Sequence, residues 1–74
     1  MTIKVRLFGI FRIGRFKEEL REHPDGATPR AVAEALGLPV HLLGTALIGG
    51  VHAGLDDRLR DGDELTLLPK MGGG

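Results

Sequence analysis

The side chains that most often carry out catalysis are scarce in this sequence. It contains no Cys, Ser or Tyr, and Thr28 has the position of a helix cap, so few side chains could act as a hydroxyl or thiol nucleophile. The histidines His23, His41 and His52 lie far apart, without a neighbouring Cys or paired carboxylate at the spacing of metal ligands. Solvated or structural histidines are therefore favoured, and we predict no metal site.

Three further motifs favour structural roles. The acidic run from Asp56 to Glu64 lacks the register of a calcium loop, which favours a solvated loop. The glycines of "GIFRIGRF" and "GTALIGG" lack the spacing of a phosphate-binding loop and are typical of turns and bulges. The basic first third carries Phe8, Phe11 and Phe16, which could stack on bases. Because the net charge is zero and a small core needs these rings, we predict no nucleic-acid partner.

The remaining candidate is the segment "LLPKMGGG", Leu67 to Gly74. One interpretation is a frayed end, since terminal residues of most domains are poorly ordered. The other is that the carboxylate of Gly74 is the working group. Met71 to Gly74 can reach roughly 13 Å at about 3.3 Å per residue, and glycine passes where any Cβ would clash. A free carboxylate is a poor electrophile, so it becomes useful only when a partner activates it with ATP as an acyl adenylate.

Composition and hydropathy indicate the cellular compartment of the protein. Its 74 residues allow one domain of modest size, and the absence of cysteine is typical of a reduced intracellular compartment. No apolar stretch approaches the roughly 20 residues that span a bilayer, and the first residues lack the pattern of a signal peptide. We therefore predict a cytoplasmic protein without a membrane partner.

Strand patterns dominate both ends of the chain. "TIKVRLF" alternates Ile3, Val5 and Leu7 with charged residues, as a strand with one buried face does. In "FKEELREH" the spacing of Phe16 and Leu20 suits one face of a strand or of a helix, and we favour a strand that completes a hairpin. Near the other end, Leu65 and Leu67 share the face of a last strand, which we expect to end at Leu68 and to lie beside the first strand in the sheet centre.

The middle of the chain predicts one helix and a second hairpin. Thr28 as N-cap, Pro29 at the first helical position and Gly37 as the stop predict a helix of about two and a half turns. "VHLLG" predicts a further helical turn, and Gly49-Gly50 fits a tight hairpin turn. A single helix can bury its apolar stripe only across one face of a small sheet, which gives an α+β fold. We expect one domain over 1–74 with a flexible tail over 69–74.

Four segments together carry a family resemblance: "IKVRLF", "GATPRAVAEAL", "ALIGGV" and above all "LRDGDELTLLPKMGGG". The chain resembles the MoaD/ThiS family of ubiquitin-like β-grasp sulfur carriers over essentially its whole length. In that family Gly-Asp in the last turn precedes the central strand and the chain ends in Gly-Gly, which Gly62, Asp63, Gly73 and Gly74 match. Gly72 replaces a variable residue. Pro69 and the chain length favour the molybdopterin branch over the thiamin branch.

The resemblance implies a mixed sheet of four to five strands and a carrier that is not catalytic alone. It implies that Gly74 is adenylated by an E1-like adenylyltransferase of the MoeB/ThiF type, which uses ATP, and is then converted to a thiocarboxylate. A sulfurtransferase or cysteine desulfurase would supply the sulfur, and a MoaE-type large subunit of molybdopterin synthase would use it. The carrier itself would bind no cofactor. Two other classes stay open: a covalent protein modifier and a non-covalent binding module.

The resemblance also suggests which residues meet these partners. Gly73 would give access to the partner's channel, and Phe8 with Leu68 could add an apolar contact surface. Burial at the edge of a small core is the alternative for both side chains. The complete set of predicted partner-binding residues is Phe8, Leu68, Pro69, Lys70, Met71 and Gly72.

Overall fold

The chain begins with a hairpin whose strands differ in burial. A computed structural model describes residues 1–70, so the predictions for Met71–Gly74 lie outside the described residues. Strand β1 (Thr2–Leu7) buries every second side chain, as its alternation predicts. A 3-10 turn over Gly9–Arg12, which the sequence analysis did not predict, follows β1. Strand β2 (Glu18–Glu22) then pairs antiparallel with β1, which confirms the predicted hairpin.

The expected sharing of one face by Phe16 and Leu20 is wrong. Phe16 precedes β2 and packs against the core, with the guanidinium of Arg21 5.5 Å from its ring centroid. Leu20 pairs with Lys4 on the opposite face of the sheet and is 67% exposed. The even spacing misled because the strand starts only after Phe16.

The single α-helix, α1 (Pro29–Ala35), begins as its capping residues predict. The hydroxyl of Thr28 accepts a hydrogen bond from the backbone N–H of Ala31 at 3.1 Å, and Pro29 occupies the first turn. Gly37 has a positive φ of 71° and follows the C-cap, as predicted for the stop. With 7 residues the helix makes about two turns, slightly fewer than predicted. A 3-10 turn over Val40–Leu42 follows, as "VHLLG" predicts.

The second half of the chain completes the sheet. Strands β3 (Leu43–Ile48) and β4 (Val51–Ala53) form the predicted hairpin around Gly49 and Gly50, whose φ angles are 60° and 82°. Strand β5 (Glu64–Pro69) follows a turn at Gly62, whose N–H donates to the carbonyl of Thr2 at 2.8 Å. The strand order is β2-β1-β5-β3-β4, with β5 parallel to β1 and antiparallel to β3.

One core lies between this sheet and α1. The helix contributes Val32 and Ala33, the central strands contribute their inward side chains, and Phe11 and Leu59 close the ends. This five-stranded mixed sheet with one helix across one face is the predicted ubiquitin-like β-grasp, which is thereby confirmed. None of the helices within residues 1–70 is long and apolar enough to cross a bilayer.

Candidate functional site

The candidate site lies at the C-terminal end of the central strand β5. Leu68 pairs with Thr45 of β3, and Pro69 pairs with Leu43, so the strand runs one residue beyond its predicted end at Leu68. The backbone N–H of Lys70 then donates to the carbonyl of Leu42 at 2.7 Å. Pro69 therefore does not stop the pairing: it lacks an N–H, but the next residue supplies the donor that anchors the chain.

Phe8 lies beside this end of β5. It follows β1 directly with an extended backbone, and its N–H donates to the carbonyl of Leu67 at 3.3 Å. Since Leu7 pairs with Leu67 in the parallel ladder, the alternation of strand side chains places Phe8 next to Leu68 on the face turned away from α1. Both side chains are half-buried. The structure thus brings together Phe8, Leu68, Pro69 and Lys70.

Two arginines lie close to Phe8, and neither is among the predicted site residues. The guanidinium of Arg12 lies 4.8 Å from the centroid of the Phe8 ring while its Nε donates to the carbonyl of Leu7 at 2.6 Å. The guanidinium of Arg6 lies 5.8 Å from the same centroid. A signal existed in the sequence, because Arg6 and Arg12 stand two residues before and four after Phe8.

Arg6 also joins three strands on the open face of the sheet. Its Nε lies 3.2 Å from a carboxylate oxygen of Glu18 on β2, and its Nη1 lies 3.2 Å from one of Glu64 on β5. Arg6 is thus paired within the chain. Lys70 is exposed at the end of β5.

The carboxylates of the acidic loop between β4 and β5 accept hydrogen bonds from groups of the same chain. Arg30 holds Asp56 through two hydrogen bonds of 2.9 and 3.2 Å, which lower the pKa of that carboxyl below its ordinary value and raise the pKa of Arg30. Asp57, Asp61 and Asp63 each accept a backbone N–H. Among residues 1–70 no group of three or more His, Asp and Glu side chains could hold a metal ion.

Other predicted site residues cannot be placed. Met71, Gly72, Gly73 and Gly74 lie outside the described residues, so their predicted roles stay predictions. The described residues form no pocket. The described site residues form a surface beside Lys70, whose N–H donates to the carbonyl of Leu42.

Comparison with solved structures supports this fold over the full chain. SAMP1 from Haloferax volcanii is similar at 23% identity and a TM-score of 0.75, with both chains fully covered. The Haloferax volcanii HVO 2177 protein is similar at 27% identity and a TM-score of 0.79, covering 100% of this chain and 87% of that one. A chain in the complex of subunits 1 and 2 of molybdopterin-converting factor from Helicobacter pylori is similar at 24% identity and a TM-score of 0.66, again with full coverage of both.

Sequence comparison identifies the family. No protein of curated function matches the chain. The sequence profile of the ThiS family, in contrast, matches residues 5–74, a span that begins inside β1 and includes the glycines after β5. The chain therefore belongs to the ThiS family.

Proposed function

We propose that this protein is a sulfur carrier whose working group is the carboxylate of Gly74. An E1-like adenylyltransferase of the MoeB/ThiF type activates that carboxylate with ATP, and a sulfurtransferase or cysteine desulfurase provides the sulfur that converts it to a thiocarboxylate. Gly73 gives access to the partner's narrow channel because it has no side chain to clash with the walls. ATP is bound by the partner, and the carrier holds no cofactor of its own.

The observation that carries this proposal is the family match extending through the last glycines, combined with the anchoring of the preceding residue. The match ends at residue 74, so the glycine segment belongs to the family pattern. The N–H of Lys70 donates at 2.7 Å to the carbonyl of Leu42, the residue just before β3, so Lys70 is fixed at the end of the central strand.

ATP activates the carboxylate of Gly74 in the first step. A carboxylate oxygen of Gly74 attacks the α-phosphorus of ATP, which releases pyrophosphate and leaves an acyl adenylate. The persulfide of the sulfur donor then attacks the acyl carbon and displaces AMP, which gives an acyl disulfide. A thiol attacks the donor's sulfur in this disulfide, forms a disulfide with the donor cysteine and releases the thiocarboxylate. The carrier contributes the carboxylate and a segment thin enough to enter the partner, whereas the partner contributes the catalytic groups.

We further propose that the sulfur goes to molybdopterin, with this chain as the small subunit of molybdopterin synthase and a MoaE-type protein as the large subunit. The similarity to a chain from the complex of molybdopterin-converting factor subunits supports this assignment. The position of Pro69 and the chain length also favour it. A carrier for thiamin thiazole synthesis is the alternative within the same family, and cytoplasmic localisation fits both.

The surface formed by Phe8 and Leu68 is proposed to contact these partners. The two half-buried side chains lie beside the anchored end of β5, where a protein that receives the C-terminal segment must approach. Arg12 holds the Phe8 ring in place from 4.8 Å. The exposed ammonium of Lys70 adds a positive charge that an acidic residue of the partner could meet.

The direct test is intact mass spectrometry after reaction. The purified protein is incubated with ATP, a sulfur donor and each of several E1-like enzymes from the same genome. We expect one oxygen to be replaced by sulfur, and we expect fragmentation to place the change on Gly74. A variant that lacks Gly73 and Gly74 is the matched control and should stay unmodified. If no adenylate and no thiocarboxylate form with any enzyme, the proposal is wrong.

A covalent protein modifier is the second candidate function. SAMP1, the similar Haloferax volcanii protein, is named small archaeal modifier protein 1, which favours this candidate. The same acyl adenylate would then be transferred to a lysine of a target protein. Isopeptide-linked conjugates in cell extract that disappear when Gly74 is removed would establish it. A non-covalent binding module would instead keep its function after Gly73 and Gly74 are deleted.

A further inference from the structure

A β-bulge interrupts β3 next to the end of β5. Thr45 pairs with Leu68, but Leu43 pairs with Pro69, so Gly44 is an extra residue without a partner on β5. The extra residue changes which face the side chains before it occupy. Leu43 is buried in the core, as Ala46 is, although the two residues are an odd number apart. The bulge therefore lets β3 bury Leu43 and bend at the level of Pro69.

The residue at the bulge must be glycine for reasons of space. Gly44 is not among the described glycines with a positive φ, so its backbone conformation does not demand glycine. A Cβ at this position, however, would lie 2.8 Å from Cα and 2.9 Å from the backbone nitrogen of Lys70, and 3.0 Å from the carbonyl carbon of Pro69. All three are backbone atoms, so a side chain at residue 44 would force the end of β5 to move.

A second glycine borders the same segment from the other side. A Cβ on Gly9, after β1, would lie 3.1 Å from Cγ of Pro69. The two residues that end the described chain are thus seated between glycines of both neighbouring segments. Because Gly44 lies so close to the backbone of Lys70, the backbone nitrogen of Lys70 is 2.7 Å from the carbonyl oxygen of Leu42.

We propose that Gly44 is a positioning residue for the C-terminal segment. By leaving room for the backbone of Pro69 and Lys70, it sets the position of Lys70 and the direction of the backbone there. This inference rests on the proposed function, because the direction matters only if Gly74 must reach a reacting centre in a partner. A misplacement of about 1 Å at a reacting centre can cost up to about 100-fold in rate.

Kinetics with the E1-like enzyme separate positioning from recognition. Gly44→Ala should lower kcat for adenylation by about tenfold and leave KM within about twofold, because the reacting group is displaced while Phe8 and Leu68 still bind. Gly54→Ala is the matched control. Gly54 has no positive φ, and its Cβ would meet only the carboxylate of Asp57, at 3.4 Å. This control should keep the wild-type kcat and KM.

Hydrogen exchange of the isolated protein tests, without any partner, whether Gly44 keeps the N–H of Lys70 bonded to Leu42. In Gly44→Ala the Lys70 amide should exchange about tenfold faster because its bond to Leu42 is lost, while amides of the central ladder such as Ala46 keep their protection. Gly54→Ala should leave the Lys70 amide unchanged. Unchanged exchange at Lys70 in Gly44→Ala, or faster exchange with wild-type kcat, would overturn the inference.

A second pair of variants serves if Gly44→Ala does not fold. Lys70→Pro and Lys70→Ala both lose the ammonium, but only Lys70→Pro loses the N–H that donates to Leu42. Relative to Lys70→Ala, Lys70→Pro should reduce kcat by about tenfold. Equal kcat values in the two variants would contradict the inference. If the wild-type protein is not adenylated by any enzyme, the proposed function fails, and the exchange at Lys70 then decides by itself whether Gly44 sets the chain end.

Discussion

Leu67 and Leu68 are neighbours on β5, and truncation of each should affect a different property. Loss of the Leu67 side chain should mainly lower stability, whereas loss of the Leu68 side chain should weaken binding to a partner. Leu67 is 0% exposed and faces the core, so Leu67→Ala removes the buried equivalent of about three methylene groups and leaves a cavity. We expect a loss of about 3 kcal/mol in the free energy of unfolding. Leu68 is half-buried on the open face, so Leu68→Ala should cost about 1 kcal/mol, with little cavity to add. At roughly 0.05–0.15 kcal/mol per residue, the 74 residues have a total stability of roughly 4–11 kcal/mol.

Urea unfolding followed by circular dichroism measures both free energies, and thermal unfolding should separate the two Tm values by about 8–16 °C. Leu20→Ala, at a position that is 67% exposed, is the control and should change stability by less than about 0.5 kcal/mol. Binding to the E1-like enzyme, measured at a temperature where all variants are folded, should weaken for Leu68→Ala and stay at the wild-type value for Leu67→Ala. If both leucines cost the same stability, or if Leu67→Ala alone weakened binding, the assignment of the two faces of β5 would be refuted.

Three further perturbations test the helix, the hairpin and the contact surface. Thr28→Ala should lower stability by about 1 kcal/mol in urea unfolding because the N-cap acceptor of α1 is lost, whereas a Thr28→Ser variant of equal stability to Thr28→Ala would contradict this role. Burial is the main cause that lowers the pKa of His23 from its ordinary value of 6.5. Below pH 6.5 the unfolded chain therefore binds more protons at His23 than the folded chain does. The stability that depends on neutral His23 is present above pH 6.5 and is lost as pH falls through the folded pKa. Urea midpoints on both sides of pH 6.5 should therefore fall with acid more steeply for the wild type than for His23→Gln, and parallel profiles would argue against it. Phe8→Ala should raise KM for the E1-like enzyme by about tenfold, as loss of about 1.4 kcal/mol of binding does, while Ile13→Ala, at a position 73% exposed, should not.

The parts of the fold that depend on local chemistry could be predicted from the sequence. The alternation of Ile3, Val5 and Leu7 requires one buried face, and Thr28 followed by Pro29 supplies a cap and a first helical residue. The central place of β5 followed from its apolar character, because a strand covered on both edges and one face needs few polar residues. These features depend on residues close in sequence or on composition alone.

The parts that the sequence did not predict depend on contacts between distant segments. The 3-10 turn over Gly9–Arg12 follows where Gly9 adopts a positive φ of 58° beside Pro69, about 60 residues away. The bulge at Gly44 lies in "GTALIGG", whose glycines are typical of turns and bulges, but the sequence alone does not show the close approach of Lys70 that requires glycine there. The predicted end of β5 at Leu68 was wrong because a proline was taken to stop pairing, whereas Leu43 pairs with Pro69 across the bulge.

The central position of β5 explains how one small domain can combine a stable fold with the reaction that we propose at Gly74. A last strand at the edge of the sheet would have one neighbour, and fraying would move the start of the segment that follows it. Here β1 pairs with β5 as far as Leu67 and β3 pairs with it as far as Pro69, and the carbonyl of Leu42 accepts a hydrogen bond from the N–H of Lys70. Substitutions that change the ends of these two neighbours should therefore affect the reaction at Gly74 more than equal substitutions in the edge strands β2 and β4. This ranking follows from the sheet order and is independent of which sulfur acceptor the carrier serves.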